Sequence, residues 1–496
     1  MKRLVKRYDN SFLFALGMQY FNTGFRQIIM LSDNNFWDQV YHLPPGTAAM
    51  YTSWINLPWA PKLLYGIITD SVPICGSTKR SYVVLMGILQ FVTLMSVALV
   101  PGLDPAAIMG LTVVYSMGGA FMEVVCQGLM VVEARKDPMA GSEDLQSFAW
   151  VMYGIGGTLG CWLGGKFTST WPNGDGARLG YACCAVLCLV LGMAGPCINK
   201  DLEANQSEMI SMSAVQRTKT VFKELGMGLQ IKQLYTALIF QAILGSVVPN
   251  FDIFMYYFQT DPSGLNWSTM KYAYLQLLGN FATIPGSIIF SVFLKEKEFR
   301  FMMVMACAIN CFGALTSAMF CSSHYIGLQP FVFCMTSSTV TNVLYMCFVN
   351  LPLSVLFAKL IPEKIESSLF AFSTGLMNLS NLFISPNLGV LINSIWFHQS
   401  ETNLTGVWKL YVVQACMALI PTFFIWLLPK RSEVAKVQAC LEYLRLQECK
   451  DPPTEISTLI LEYAKLDQAA VIALKVRDPR MMTDSDEKPV TPDTEQ

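Results

Sequence analysis

The sequence predicts an all-α membrane protein, with twelve transmembrane helices in two six-helix halves followed by a cytosolic helical tail. Three observations carry that reading. The chain of 496 residues is 53% hydrophobic and only 14% charged, with a mean hydropathy of +0.42, whereas soluble domains carry about 25% charged residues. It contains repeated charge-free runs of membrane-crossing length, and its Lys and Arg fall mostly on one side of the helices those runs define. The composition leaves too little polar surface for a water-soluble chain and excludes a disordered or fibrous one. Basic residues (34) and acidic residues (35) nearly cancel, giving a net charge of −1 and no basic stripe. The grip on phosphates that nucleic-acid binders need is missing, so nucleic acid is excluded as a partner.

Residues 81–103, 179–199, 233–251, 272–294 and 410–429 each run for about 20 residues without an acid or a base, the length that crosses a hydrocarbon core of about 30 Å. Residues 301–358 also hold no charge but are too long for one span, so the polar kink Cys321-Ser322-Ser323-His324 divides them. Residues 367–393 supply another span. Stretches with isolated charges at 11–31, 47–69, 106–132 and 147–168 bring the total to twelve. With the amino terminus inside, short inner segments hold twenty Lys and Arg, and the outer side holds four, Lys166, Arg178, Lys271 and Lys409. Positively charged loops stay on the cytoplasmic side, which places both termini there; the plasma membrane is the expected location ahead of an organelle membrane, although the residues leave both open. Membrane lipid is the solvent for most of the chain. The sequons Asn266-Trp267-Ser268 and Asn403-Leu404-Thr405 fall in outer loops, as glycan acceptors must. Arg26 interrupts the first apolar run and no small-x-small site follows, so the amino terminus reads as a span and not as a cleaved signal.

The longest inner connection, 199–232, separates an amino-terminal half (1–198) from a carboxy-terminal half (233–431). A short repeat supports the division. Glu143-Asp144-Leu145-Gln146-Ser147-Phe148-Ala149-Trp150 opens the fifth span and Glu366-Ser367-Ser368-Leu369-Phe370-Ala371-Phe372 the eleventh, corresponding positions of two parallel halves. In the tail, 432–496, residues 432–449 and 454–476 have the pattern of amphipathic cytosolic helices, with Pro452-Pro453 as breaker and Thr454 as N-cap. The polar end from Asp478 to Gln496 reads as disordered. Nothing in the tail indicates a partner.

Three histidines, His42, His324 and His398, and fifteen cysteines without a CxxC pair offer no metal cluster, disulfide framework or cofactor site. No GxxxxGK[ST] loop marks an ATP-driven pump, and no nucleophile with a base marks an enzyme. A charge near mid-membrane costs about 2.5–3.5 kcal/mol on insertion scales, so each one is a functional hypothesis. Arg26, Lys62, Glu123 and Asp252 fall on the first, second, fourth and seventh spans, with Asp70, Glu133 and Lys271 nearer the ends. Arg26 and Lys62 are suited to an anionic solute, Glu123 and Asp252 to carrying a coupling proton. An ion pair of Glu123 with Arg26 or Lys62 is the structural alternative. Polar residues recur at helical spacing as Gln19, Thr23, Arg26; as Ser338, Thr341, Tyr345; and as Thr374, Asn378, Asn381, Ser385. Lipid cannot satisfy them, so they turn toward a solute or a neighbouring helix. Gly156, Gly160 and Gly164 read as a seam for close helix packing.

The most specific region is the second span and the loop after it. Gly66-Ile67-Ile68-Thr69-Asp70, then Gly76-Ser77-Thr78-Lys79-Arg80, puts a carboxylate at the inner end of a span beside a basic turn. Such a pair locks an inner gate in one state and releases it in the other. The order resembles the loop signature of the major facilitator superfamily, with a longer spacer. A narrower resemblance lies in Pro58-Trp59-Ala60-Pro61-Lys62-Leu63-Leu64-Tyr65-Gly66, Thr69-Asp70-Ser71-Val72-Pro73-Ile74 and Lys79-Arg80-Ser81-Tyr82. These are similar to the hallmark stretch of the folate-biopterin transporter family, although Leu63 stands where the family often has proline. Gln19-Tyr20-Phe21-Asn22-Thr23-Gly24, Val132-Glu133-Ala134-Arg135, Leu145-Gln146-Ser147 and Ile361-Pro362-Glu363 with Glu366 are similar in the same way.

The resemblance implies a secondary transporter of major facilitator type that moves folates, pterins or, in some members, S-adenosylmethionine by alternating access. Inner gating falls to Asp70, Lys79, Arg80, Glu133 and Arg135. A pterin ring asks for stacking aromatics and amide partners, here Trp59, Trp150, Tyr153 and Asn378, and a carboxylate tail asks for Arg26 or Lys62. A cationic solute, such as S-adenosylmethionine or another organic cation, uses Glu123 or Asp252 instead, and the residues alone do not choose. All three histidines lie in outer loops, so proton symport would run through a carboxylate, while facilitated diffusion stays open. The reading of another class is a non-transporting membrane receptor, told apart by a signalling partner on the tail.

Overall fold

The computed structural model describes residues 7–77, 79–134, 141–171, 173–198, 214–294, 296–360 and 366–437. Arg135, residues 361–365 and most of the tail lie outside the described residues, as do the side chains of Asp70 and Glu366. The described chain is helical apart from isolated bridges between Ile74 and Ser77 and between Ser400 and Asn403.

The helices follow in order. α1 comprises Asn10–Phe25, Gln27–Asn35 and a π turn Phe36–Val40. α2 comprises Pro45–Asn56, a 3-10 turn Leu57–Trp59 and Lys62–Ser71. α3 (Arg80–Leu99), α4 (Pro105–Ala134), α5 (Gly141–Thr170) and α6 (Asp175–Ala194) complete the first half, and the helix Ala214–Gly228 falls between α6 and α7 in the chain. In the second half, α7 is Lys232–Val247 with Asp252–Thr260, α8 is Thr269–Ile289 with a π turn Phe290–Leu294, and α9 is Phe299–Cys321. α10 runs through Pro330–Tyr345, Met346–Asn350 and Leu351–Leu360, and α11 through Glu366–Asn378, Leu379–Ile384, Ser385–Ile392 and Asn393–Phe397. α12 is Val407–Met417 with a 3-10 stretch Ile420–Leu427.

Nine of these helices, α3, α4 and α6 to α12, are long and apolar enough to cross a membrane among the described residues. α1, α2 and α5 fill the first, second and fifth expected positions, each diluted by polar residues or a break. The expected division at Cys321 to His324 separates α9 from α10.

Two boundaries differ from the sequence reading. α1 continues to Val40 instead of ending near residue 31, because Asp33 and Asp38 are buried against other helices. The Tyr181 hydroxyl on α6 donates to the Asp33 carboxylate. Thr260 Oγ1 on α7 donates to Asp38 Oδ2 at 2.9 Å. α7 likewise runs on to Thr260 after a break at Val248-Pro249, where proline removes a backbone donor.

α1 packs on α5 and α3 on α6 in the first half, while α9 packs on α12 and α8 on α10 in the second. Across the halves, α5 meets α8 and α2 meets α11. The glycine seam explains the first of these contacts. A Cβ at Gly156 would sit on the Phe21 carbonyl and one at Gly24 on the Tyr153 carbonyl, so only glycine lets the two backbones approach. At the end that carries His42, one core runs through both halves, joining Phe36, Trp37 and Tyr181 to Phe254, Tyr257 and Phe320. At the end that carries Lys79, the halves hold separate cores, bridged by Leu63 packing against the second.

Candidate functional site

The proline pair that breaks α2 creates the site. Pro58 and Pro61 lack amide protons, so the helix loosens and its carbonyls need new partners. The Pro58 carbonyl accepts from Tyr65 Oη at 2.9 Å. Trp59 O accepts from Asn378 Nδ2 of α11 at 3.1 Å, across the two halves. Gly375 lies one turn before Asn378, and a Cβ there would collide with the Ala60 carbonyl.

The break also aims Trp59 into the centre of the first half. Its indole Nε1 donates to Ser116 Oγ on α4 at 3.1 Å. Two cations share its ring: the Arg26 guanidinium lies 4.9 Å from the ring centroid and Lys62 Nζ 5.1 Å. Arg26 stands at the interruption of α1, and its Nη2 donates to Asn56 Oδ1 at 2.6 Å and to Ser116 Oγ at 3.0 Å. Both partners are neutral. Among the described residues no carboxylate lies within salt-bridging distance of Arg26.

Lys62 is paired. Its Nζ meets Glu123 Oε1 on α4 at 3.1 Å, with the two side chains 5% and 14% exposed, and Gln127 Nε2 donates to the same oxygen at 2.8 Å. Of the two ion pairs open to Glu123, the structure therefore forms the one with Lys62. Two cations against one carboxylate leave this cluster one positive charge in excess. A small cavity of about 10 Å³, room for one water, is lined by residues of α1 to α4 that include Gln19, Asn22, Arg26, Trp59, Gln90 and Ser116.

The remaining expected site residues are distributed as follows. Tyr153 on α5 lies within electrostatic reach of Arg26 and Glu123. Trp150 is 61% exposed and sits edge-on to Tyr153 at 5.5 Å, clear of the Trp59 cluster. Asp252 does not join Glu123. It opens the second segment of α7 with its surface exposed and accepts from Asn250 Nδ2 at 2.8 Å. The reason is the Pro249 break, which places the carboxylate at a helix start and not on the face of a continuous helix.

Of the expected gate, Lys79 is buried and donates to Thr69 Oγ1 at 3.2 Å, Glu133 is fully buried at the end of α4, and Arg80 donates to the Pro196 carbonyl beyond α6. The partner expected for the basic pair, Asp70, has its side chain outside the described residues, as has Arg135. Asn56, Ser116 and Gln90 belong to the site and are not among the residues the sequence pointed to, and Asn22, present there only within the stretch Gln19 to Gly24, joins them. One signal was present for α4, where Ser116, Glu123 and Gln127 recur at helical spacing.

Two sets of membrane helices thus meet across α2–α11 and α5–α8, with a charged cluster at the broken second helix, the architecture of a multi-pass membrane protein with a polar centre. The chain belongs to the BT1 family, whose profile matches residues 23–440. It is 24% identical over 417 residues to "Probable folate-biopterin transporter 7" of Arabidopsis thaliana, covering 83% of this chain and 92% of the relative. The "Folate-biopterin transporter" of Synechocystis is 24% identical over 84% of this chain and 81% of its own, and "Folate transporter 1" of Plasmodium falciparum is 22% identical over 83% and 77%. Among solved structures, the nucleoside transporter NupG superposes with a TM-score of 0.62 at 13% identity, covering 84% of this chain and 98% of that one. A D-xylose-proton symporter gives 0.62 at 14% identity, over 86% and 98%. At these identities the structures show the shared fold.

Proposed function

We propose that this chain carries a folate- or pteridine-type solute across its membrane by alternating access, with the solute's anionic end at Arg26. Arg26 carries the reading. A cation held at the centre of a bundle costs free energy unless it meets an anion, and among the described residues Arg26 hydrogen-bonds the neutral Asn56 and Ser116 and lies over the Trp59 ring. The printed names of the relatives, folate-biopterin and folate transporters, supply the solute class.

Lys62 is the second anion contact, released when Glu123 takes a proton or yields to the solute's carboxylate. Proton and anion then travel together, with Glu123 and not Asp252 as the carrier. Trp59 offers the stacking face, supported by Asn378, and Tyr153 and Trp150 line the approach from α5. Asp70, Lys79, Arg80, Glu133 and Arg135 form the inner gate. All twelve helices span the bilayer in halves 1–198 and 233–431, with both termini cytoplasmic, in the plasma membrane. Both sequons then lie outside, where Asn266 and Asn403 are exposed in loops.

The test is uptake of labelled folic acid, biopterin and S-adenosylmethionine by cells expressing the chain, beside Arg26→Ala at equal surface expression, in acidic and neutral medium. Saturable uptake of one anionic or pterin compound, lost in the variant and greater in acid, is the expected result. Uptake of S-adenosylmethionine alone, undiminished by Arg26→Ala, overturns it.

A further inference from the structure

The cavity beside Arg26 holds polar groups that the charged cluster does not use. Gln19 on α1 lines it and is only 1% exposed. Its orientation follows from its neighbours. The Thr23 hydroxyl donates to the Gln19 main-chain carbonyl at 2.9 Å, so Thr23 Oγ1 is left as an acceptor, and Gln19 Nε2 donates to it at 3.3 Å. The carboxamide is thereby pinned by its nitrogen, and Oε1 is buried with no donor among the described residues. A buried amide oxygen without a donor is costly.

The other two carboxamides of the cavity wall are weakly held. Asn22 Nδ2 donates to Cys188 Sγ at 3.4 Å, and Gln90 Nε2 to the Met86 carbonyl at 3.2 Å and Met122 Sδ at 3.3 Å. Among the described residues their oxygens receive only cysteine thiols, Cys188 at 3.7 and 3.5 Å and, on the Asn22 oxygen, Cys184 at 4.0 Å. Sulfur is a poor donor and a poor acceptor, so an N–H from a solute would displace a thiol at little loss.

We propose that Gln19 is the specificity-determining residue of this cavity, its Oε1 accepting a ring N–H from the carried heterocycle while Arg26 holds the solute's anionic end. The proposal rests on the reading of Arg26 as the solute site and adds to it the class of edge that is recognised: a lactam or amidine N–H on a planar ring. The cavity takes no more than one water in this structure, so admitting the ring edge requires the helices α1 to α4 around it to move apart. A site built around an acceptor discriminates strongly against a solute that lacks the donor, because the buried oxygen is then left unpaired.

The test uses the purified full chain, with binding followed by quenching of tryptophan fluorescence. The probes are biopterin and its 3-methyl derivative, in which the ring N–H is replaced by N–CH3. Wild type should bind biopterin about tenfold or more tightly than the methylated probe. Gln19→Met should bind both with nearly equal affinity. Gln19→Glu keeps an acceptor oxygen and should keep the preference, which also covers the case in which Gln19→Met fails to fold. Wild type binding the two probes equally, or neither, overturns the proposal, as does Gln19→Met retaining the full preference. Arg26→Gln is measured alongside with folic acid as the anionic probe. Loss of folic acid binding there with no effect at Gln19 removes this proposal alone, whereas unchanged folic acid binding removes the Arg26 reading.

Discussion

Replacing Glu123 by glutamine leaves the Lys62 ammonium, 5% exposed, beside a neutral amide in place of a carboxylate 3.1 Å away. The gross attraction between unit charges at that separation is about 5 kcal/mol at an effective dielectric of about 20. Most of it offsets the desolvation of two charges, so the pair adds little net stability, whereas removing one partner strands the other and costs about 3–5 kcal/mol. Glutamine keeps an oxygen for Gln127, which donates to Glu123 Oε1 at 2.8 Å, so the substitution isolates the charge. Lys62→Met strands Glu123 in the same way. The double variant strands nothing and should stand within about 1 kcal/mol of wild type, a coupling of about 3 kcal/mol or more between neighbouring positions. The assay is a double-mutant cycle on the detergent-solubilised chain, with the unfolding midpoint read by fluorescence-detected chromatography. Each single variant should melt several degrees lower and the double should recover most of that loss. Single effects that simply add in the double would refute the buried pair. Transport separates the two roles further, because the double variant should be stable yet impaired for anionic solute.

Other outcomes follow from individual contacts. Gly156→Ala sets a methyl on the Phe21 carbonyl and should cost about 1–3 kcal/mol by forcing α1 from α5, seen as a lower yield of monodisperse protein; Gly154→Ala, where nothing lies within 4 Å, should be harmless. Tyr181→Phe removes the donor from buried Asp33 and should lower stability by about 1–3 kcal/mol in the same melting assay. Endoglycosidase treatment of protein from a glycosylating host should raise gel mobility, and the shift should vanish in the Asn266→Gln, Asn403→Gln double variant; no shift in wild type would count against an outer position for these loops.

The apolar runs were readable because lipid leaves a backbone one solution. Every amide inside hydrocarbon must be bonded within its own segment, so a charge-free run of about 20 residues becomes a helix whatever surrounds it. That is why α3, α6, α8 and α12 lie where their runs lie, and why Cys321 to His324 parts α9 from α10. The glycine seam was readable for a related reason, since glycines at four-residue spacing have little use on a helix except to admit another backbone. The far end of α1 was not readable. Asp33 and Asp38 have the local signature of an exit into water; Gln39 donates to Asp38 from next door, but the bonds that tie the two carboxylates to other helices come from Tyr181 and Thr260, 148 and 222 positions away.

The site divides along the same line. By itself the sequence determined the class of protein, the helices, and the short set of charged residues too costly to stand in lipid without a purpose, with Arg26, Lys62 and Glu123 among them. It also held the proline pair that breaks α2. Tertiary structure alone decided that Glu123 pairs with Lys62 and leaves Arg26 on neutral partners, that Asn378 is used on the Trp59 carbonyl 319 positions earlier, and that Asp252 stands apart. The physical reason is range. Hydrophobic periodicity and backbone satisfaction act within a segment and are written in it, whereas an ion pair or a side-chain hydrogen bond needs its two groups within about 3 Å of each other, and only the packing of helices distant in the chain sets that.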